Sequence, residues 1–355
     1  MNLNTYSNPV IIIGDKELEY YTQFTLNNPG NNQINSLTVT GINKSLIDYK
    51  LLNQEIVLYL NEGGTDSIPA FRGLIKKINP SEQTLSITAL DPRILMSGKD
   101  AFPVIVDDIE NYDGYTLVQF IHEYINANIN TNSVKIGLDM LNETSPKLLM
   151  REFRTGLAVP YQIMQDCLSQ IIDDADLENP IDYEFVMIDD GNKANISLMK
   201  RENLKNATPS ISYDLLDGIQ KISYQKITPP TFALVRGELD VKSRFQLGNM
   251  GSGQAGITVT GPYTDRDSAK RAGIIEVFKK QQQLNNINIQ VTKGYNVGVG
   301  SIINLYINDN INETYDISDN HRVTAKTISY TQAKGCTMNL RLNNQNLKVS
   351  DFISG

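Results

Sequence analysis

Three stretches toward the C-terminal end decide how the chain is read: Thr264 to Gln283 (TDRDSAKRAGIIEVFKKQQQ), Gly294 to Ile307 (GYNVGVGSIINLYI) and His321 to Leu342 (HRVTAKTISYTQAKGCTMNLRL). In the first, Thr264 or Asp265 is placed to cap a helix carrying Ala269, Ala272, Ile274 or Ile275, and Phe278 along one face. A strand is expected at about Ile287 to Val291. The second stretch is a Gly-punctuated turn, Gly294 to Gly300, running into a strand from Ser301 to Ile307. Beyond the polar loop Asn308 to Glu313 come a short strand, Tyr315 to Ile317, and a closing hairpin. In that hairpin Val323 to Tyr330 faces Thr337 to Leu342 about the turn Gln332-Ala333-Lys334-Gly335. The layout is a structural signature and carries no catalytic chemistry.

Working outward, the N-terminal part is written in the same style. Residues 16–26, 33–41, 54–61, 70–78 and 84–90 alternate apolar with polar side chains or are rich in β-branched and aromatic ones. Asn27-Asn28-Pro29-Gly30-Asn31, Glu62-Gly63-Gly64 and Asn79-Pro80-Ser81-Glu82 separate them, with Gly supplying positive φ and Pro fixing φ. A small barrel or sandwich follows from strands this short and this close, with 70–78 and 84–90 as a hairpin.

Between about 100 and 180 the period changes. Tyr115 to Ile129 sets Leu117, Phe120, Ile121, Tyr124 and Ile125 along one helical stripe, and Val159 to Asp173 does the same with Ile163, Met164, Cys167, Leu168, Ile171 and Ile172. His122 sits at the edge of the first stripe. Asp182 to Ile188 and Ala194 to Lys200 flank the hairpin turn Asp189-Asp190-Gly191-Asn192-Lys193. Strands resume over 210–228 and 231–239, across Pro229-Pro230. The Gly-rich stretch Leu247 to Gly256 reads as a linker or flexible loop.

The C-terminal helix, the Gly-led strand after Gly300, the Tyr315 strand and the His321 hairpin together resemble the tail hub proteins of contractile-tailed phages and related injection machines, the late-control D type. Phe71-Arg72-Gly73, followed by its hairpin and Asp91-Pro92, resembles the first barrel of the same family. The resemblance implies an α+β, β-rich protein: two small β-barrel domains, 1–100 and a helix-led 261–355, joined by a mixed helical and strand middle region, 101–260. It implies a homotrimer whose two barrels per subunit make a pseudo-sixfold ring, joining the sixfold tail tube to a threefold spike in the baseplate. It implies a structural place at a barrel corner for His321. With neither an OB barrel nor a peptidase or lysozyme segment after Leu342, it implies a bare hub. Its partners would be itself, the tail tube protein, a separate spike protein and other baseplate proteins. Its place would be the virion tail, after assembly in the host cytoplasm.

Composition is compatible with that reading and disfavours several others. A chain of 355 residues can bury one large core or two to four smaller ones, with two to four the expectation. A net charge of −8, with Lys76-Lys77 and Lys279-Lys280 as its longest basic clusters, counts against specific nucleic-acid binding. An acidic surface would also suit a conduit that DNA crosses without sticking. No apolar run approaches the roughly 18 residues that cross a bilayer, and the N-terminus lacks the basic and small-residue features of a secretory signal. Cys167 and Cys336 read as packed thiols, and with His122 and His321 they lack zinc-site spacing. The acidic run 173–178 lacks the sixth-position Gly of a calcium loop, having Asn179 there. No phosphate loop, zinc helix or nucleophile elbow occurs. An enzyme is therefore not expected, and no catalytic, cofactor-binding or metal-ligating residue is assigned. Two alternatives remain open: a receptor-binding or distal tail module recognising host surface polymer, favoured if Tyr20, Tyr21 and Tyr59 form an exposed cluster, and a tail-associated cell-wall hydrolase.

Overall fold

The computed structural model describes residues 9–30, 33–47, 50–61, 68–97, 104–105, 136–137, 157–158, 161, 183–189, 191–200, 211–214, 219–226, 230–237, 241–246, 255–261, 266–281, 285–295, 297–308 and 316–344. The expected helices over 115–129 and 159–173, with His122, Cys167 and the acidic run 173–178, lie outside them apart from Tyr161.

The N-terminal strands are β1 (Val10–Ile13), β2 (Lys16–Glu17), β3 (Gln23–Asn28), β4 (Ser36–Asn43), β5 (Glu55–Tyr59), β6 (Phe71–Pro80) and β7 (Thr84–Leu90). Alternation builds them: β3 buries Phe24 and Leu26 while Gln23, Thr25 and Asn27 point out, and β7 buries Leu85, Ile87 and Ala89. The expected strand over 16–26 is two, because the chain turns between Leu18 and Thr22, and β1 is a strand that four apolar letters were too few to announce. β6 and β7 form the expected hairpin.

The chain continues through β8 (Val104–Ile105), β9 (Ile136–Gly137), β10 (Leu157–Ala158), β11 (Tyr183–Asp189) and β12 (Ala194–Lys200). β8 pairs with β10, and β11, β12 and β9 form a three-stranded sheet. The β11–β12 hairpin has its turn where the sequence places it. Then come β13 (Ile211–Asp214), β14 (Ile219–Lys226), β15 (Pro230–Arg236), β16 (Lys242–Gln246), β17 (Ala255–Thr260), helix α1 (Arg266–Gln281), β18 (Asn285–Val291), β19 (Ile302–Asn308), β20 (Asp316–Thr331) and β21 (Gly335–Asn344). β16, β15 and β17 form a small sheet, so the last two residues of the expected linker, Ala255 and Gly256, belong to a strand. Helix α1 packs on that sheet: Ala269 and Val277 share an apolar cluster with Ala233 and Val235. Ala272 and Ile274 are buried as well, and Val277 is a core residue that the expected stripe omitted.

The other strands make one 13-stranded sheet, in the order β14-β18-β21-β20-β3-β4-β7-β6-β5-β1-β2, with β19 beside β20 and β13 beside β19. Its longest strand is β20, with 16 residues. One edge of β20 pairs with β21. The other edge pairs first with β19, up to Arg322, and then with β3, from Lys326 onward. The sequence reading placed a break between Ile317 and Val323, at the polar letters Ser318, Asp319 and Asn320. The strand instead runs through, because β19 supplies ladder partners to those residues. Register shifts at Val39/Ile42, Ile75/Lys77, Ile219/Lys221 and Val323/Ala325 interrupt the ladders, the kind of irregularity that bends and twists a sheet. One apolar cluster serves both ends of the chain, from Ile11, Phe24, Leu37 and Ile87 to Ile289, Leu305, Ile328 and Leu340. Each such side chain contributes about 1.5–3 kcal/mol of burial.

Candidate functional site

Two junctions hold separate parts of the molecule in register, and both are built from residues the sequence reading had touched only in part. The first is ionic. Arg72, on β6 opposite Val57, is buried with its side chain only 6% exposed. Its Nη1 donates to Glu55 Oε1 at 2.7 Å, and its Nε and Nη2 donate to the two carboxylate oxygens of Asp189 at 2.6 and 3.4 Å. Nη2 also donates to the carbonyl of Gly191 at 3.1 Å. Asp189 closes β11, and its Oδ1 accepts from Gly191 N at 2.8 Å, shaping the hairpin turn. The guanidinium therefore ties the large sheet to the β11–β12 turn. Burial lowers its proton affinity, but hydrogen bonds and charge from Asp189 and Glu55 more than reverse this, holding its pKa above the ordinary value.

The second junction is a backbone ladder. β3 and β20 pair from Asn28 opposite Lys326 to Gln23 opposite Thr331. Thr327 Oγ1 donates to Asn27 Oδ1 at 3.0 Å across 300 residues of sequence. At one end of this seam Gly30 adopts φ +68°, and a Cβ there would run into the carbonyl oxygen of Thr324 in the β20 bulge. At the other end Gln332 Nε2 donates to Tyr21 O at 2.9 Å and Tyr21 OH donates to Pro9 O at 2.8 Å. Tyr21, Phe24 and Tyr330 pack as a triad with centroids 5.3–6.3 Å apart. Burial first, then Tyr330, Cys336 and Glu17, push the Tyr21 hydroxyl well above the usual phenol range.

Two further buried ions are local pins. Asp91 caps the 3-10 turn Pro92–Met96: its Oδ1 accepts from Arg93 N at 3.0 Å, and its Oδ2 from Arg93 Nη2 and Asn35 N, both at 2.6 Å. Lys326 points into the core and donates from Nζ to the carbonyls of Tyr295 and Val297 at 3.2 and 2.8 Å, holding the Gly294 to Gly300 turn.

The Phe71-Arg72-Gly73 and Asp91-Pro92 motifs thus carry buried ion pairs, and a Cβ on Gly73 would meet Leu90 O and the Phe71 ring. His321 is buried inside β20, paired with Ile303 on one side and Asn344 on the other. It stands just before the β20 bulge and does not open a new strand. Cys336 is buried in the shared core. The three tyrosines do not make an exposed cluster: Tyr20 is 44% exposed, Tyr21 lies in the core and Tyr59 is half-buried. Among the described residues no three His, Cys, Asp or Glu side chains converge as metal ligands, and no helix is long and apolar enough to cross a membrane. Sequence reading missed Lys326, although a lysine in phase with Ile328 on an alternating strand was a visible signal. It missed the partners Glu55 and Asp189, for which no local signal exists.

No known protein family matches the chain, and no curated protein matches it either. Solved structures do. A tail protein from Neisseria meningitidis MC58 superposes with a TM-score of 0.67 at 12% identity, over 97% of this chain and 98% of its own. The 43 kDa tail protein of prophage MuSo2 from Shewanella oneidensis gives 0.62 at 12% identity, over 97% and 98%. The E. coli c3393 protein, a type VI secretion component described as structurally similar to the T4 tail proteins gp27 and gp5, gives 0.56 at 9% identity, over 96% and 78%. At such identities the likeness is one of fold, and it runs almost the whole length: the chain has the β-rich fold of phage tail proteins and of a type VI secretion component.

Proposed function

We propose that this chain is the structural hub of a phage or phage-like tail baseplate, of the late-control D type. Three copies form a ring of pseudo-sixfold symmetry that joins the tail tube to a separate spike protein, beside other baseplate proteins. The role is architectural, with no catalytic step. The protein resides in the virion tail and is assembled in the host cytoplasm. The observation that carries this reading is the β3–β20 seam, which joins an N-terminal and a C-terminal set of strands edge to edge. Each copy then presents two β-modules side by side, and three copies supply six positions to a sixfold tube.

The modules are small barrels in residues 1–100 and 261–355, flanking a middle region 101–260. Their borders interdigitate: β13 and β14 of the middle region extend the large sheet, and α1 of the last segment packs on β15–β17. The test is the solution mass by light scattering coupled to size exclusion. Three times the chain mass, reached alone or on adding tail-tube or spike protein, is the expected result. A monomer that ignores both partners and binds host envelope instead would overturn the hub.

A further inference from the structure

The N-terminal and C-terminal strands of the large sheet repeat one plan, register by register. In the first set Leu26, Leu37, Ala89 and Ile75 form a row across β3, β4, β7 and β6. In the second, Tyr224, Ile287, Leu342 and Val323 form the matching row across β14, β18, β21 and β20. The next row is Phe24, Val39, Ile87 and Ile78 in the first set. Its match in the second is Ile222, Ile289, Leu340 and Lys326. A bulge separates the two rows in both β6 and β20. The approaches to β5 and β19 match as well. Asn53, at φ +65°, donates its amide to Ile75 O at 2.8 Å, and Gly300, at φ +93°, donates its amide to Val323 O at 2.8 Å.

In this plan β3 corresponds to β14, and β20 to β6. Within the chain, β3 pairs with the second part of β20. The corresponding edges are the outer edge of β14 and, on the side away from β7, the part of β6 beyond Leu74; neither carries a strand among the described residues. Burial follows the edges. Phe24, Leu26, Lys326 and Ile328 are buried along the internal seam. Their counterparts Ile222, Tyr224 and Ile78 are half-buried, and Pro80 is exposed.

We propose that a second copy of this chain covers these edges, β14 of one copy running antiparallel to β6 of the next. Lys226 then stands opposite Ile78, Gln225 opposite Asn79 and Tyr224 opposite Pro80. The register is that of the internal seam, where Asn28, Asn27 and Leu26 stand opposite Lys326, Thr327 and Ile328. The number of copies rests on the hub reading. Unlike edges meet head to tail, which builds a ring and not a two-fold dimer. The seam between copies is the shorter one: the β6–β7 hairpin turns after Pro80, whereas β20 runs on to Thr331. Pro80 also has no N–H to give. Lys76, Lys77 and Pro80 are the residue types that keep an open edge from pairing at random, which suits an edge reserved for one strand. A foreign strand is the poorer fit, because each open edge is the counterpart of what the other already pairs with.

The test is a cysteine pair in the full chain, Asn79→Cys with Gln225→Cys, oxidised mildly, with the solution mass measured on the same samples, alone and with tail-tube or spike protein. Disulfides between copies are expected, up to a closed covalent ring on a non-reducing gel, and neither single variant should give them. Asn27→Cys with Thr327→Cys serves as the reference and should close within one chain. Asn79→Cys with Ser223→Cys should largely fail to bridge, since diagonal Cβ atoms stand about 7–8 Å apart. Tyr224→Glu, at a half-exposed position, should weaken self-association about tenfold or more while the urea unfolding of the monomer changes little. Three results would each overturn the proposal and leave the trimer intact. These are equal bridging by the shifted pair, a three-copy assembly whose in-register pair stays reduced while the reference closes, and a Tyr224 variant that loses tail-tube or spike protein but keeps its self-association. The in-register bond in an assembly of any other size would keep the pairing and overturn the hub. A chain that associates under none of these conditions overturns both.

Discussion

The two junctions solve the same problem with opposite physics. At the β3–β20 seam the join is a backbone ladder over a shared apolar core, with hydroxyl and amide contacts on the outside. At the Arg72 node it is a single guanidinium held by two carboxylates and a carbonyl. A ladder over a core spreads its stabilisation across many residues, so losing one is tolerated. A buried ionic node concentrates it, because every ion left behind is stranded away from water. The seam therefore suits a permanent join of N-terminal and C-terminal strands in one sheet, and the node suits the orientation of one hairpin against that sheet.

The sharpest way to break this contrast is at the node. Arg72→Ala leaves Glu55 and Asp189 facing each other with no cation, and should cost about 3–5 kcal/mol in urea unfolding. Adding Glu55→Gln and Asp189→Asn should recover part of the loss, and hydrogen exchange should rise in residues 183–200 before it rises in β20. If exchange rises equally everywhere, the node is not a separate joint.

At the seam the vulnerable point is steric. Gly30→Ala combines a left-handed φ with a collision against the Thr324 carbonyl, and about 2–4 kcal/mol is expected. A neutral outcome would mean that the bulge can give way. Lys326→Met tests another buried cation, whose ammonium donates to the carbonyls of Tyr295 and Val297. Removing an ammonium whose burial is itself costly should leave stability within about 1–2 kcal/mol of wild type, with the Gly294 to Gly300 turn loosened in exchange experiments.

The smallest effect at neutral pH is expected from Tyr21→Phe, about 1 kcal/mol for the bond to Pro9. Its value lies in the alkaline limb. The folded Tyr21 keeps its proton above the pH at which an unfolded tyrosine loses it, so stability is full below about pH 10 and falls as pH rises past it. The phenylalanine variant should lose less stability over that range, and identical alkaline limbs would remove Tyr21 from the account.

Much of this fold was legible from local signals. Alternation identified β4, β6 and β7 and both the β6–β7 and β11–β12 hairpins. Gly and Pro clusters marked the turns, and the apolar stripe led to α1 within two residues at either end. The site was less legible. Arg72 and Asp91 stood out as motif residues, yet nothing near Glu55 or Asp189 in sequence announces that 117 residues separate Arg72 from one of its carboxylates.

By itself, then, the sequence determined that the described ends of the chain are built of short strands, where β4, β6, β7, β11 and β12 lie and where their two hairpins reverse, because these follow from side-chain period and backbone sterics within a few residues. Only the tertiary structure decided that β3 lies against β20, that β20 runs unbroken through His321, that α1 packs on β15–β17 and that Arg72 meets Asp189. Ladder hydrogen bonds are the same for every pair of strands, so alternation cannot choose a partner. That choice is made by the core that all of the strands must share.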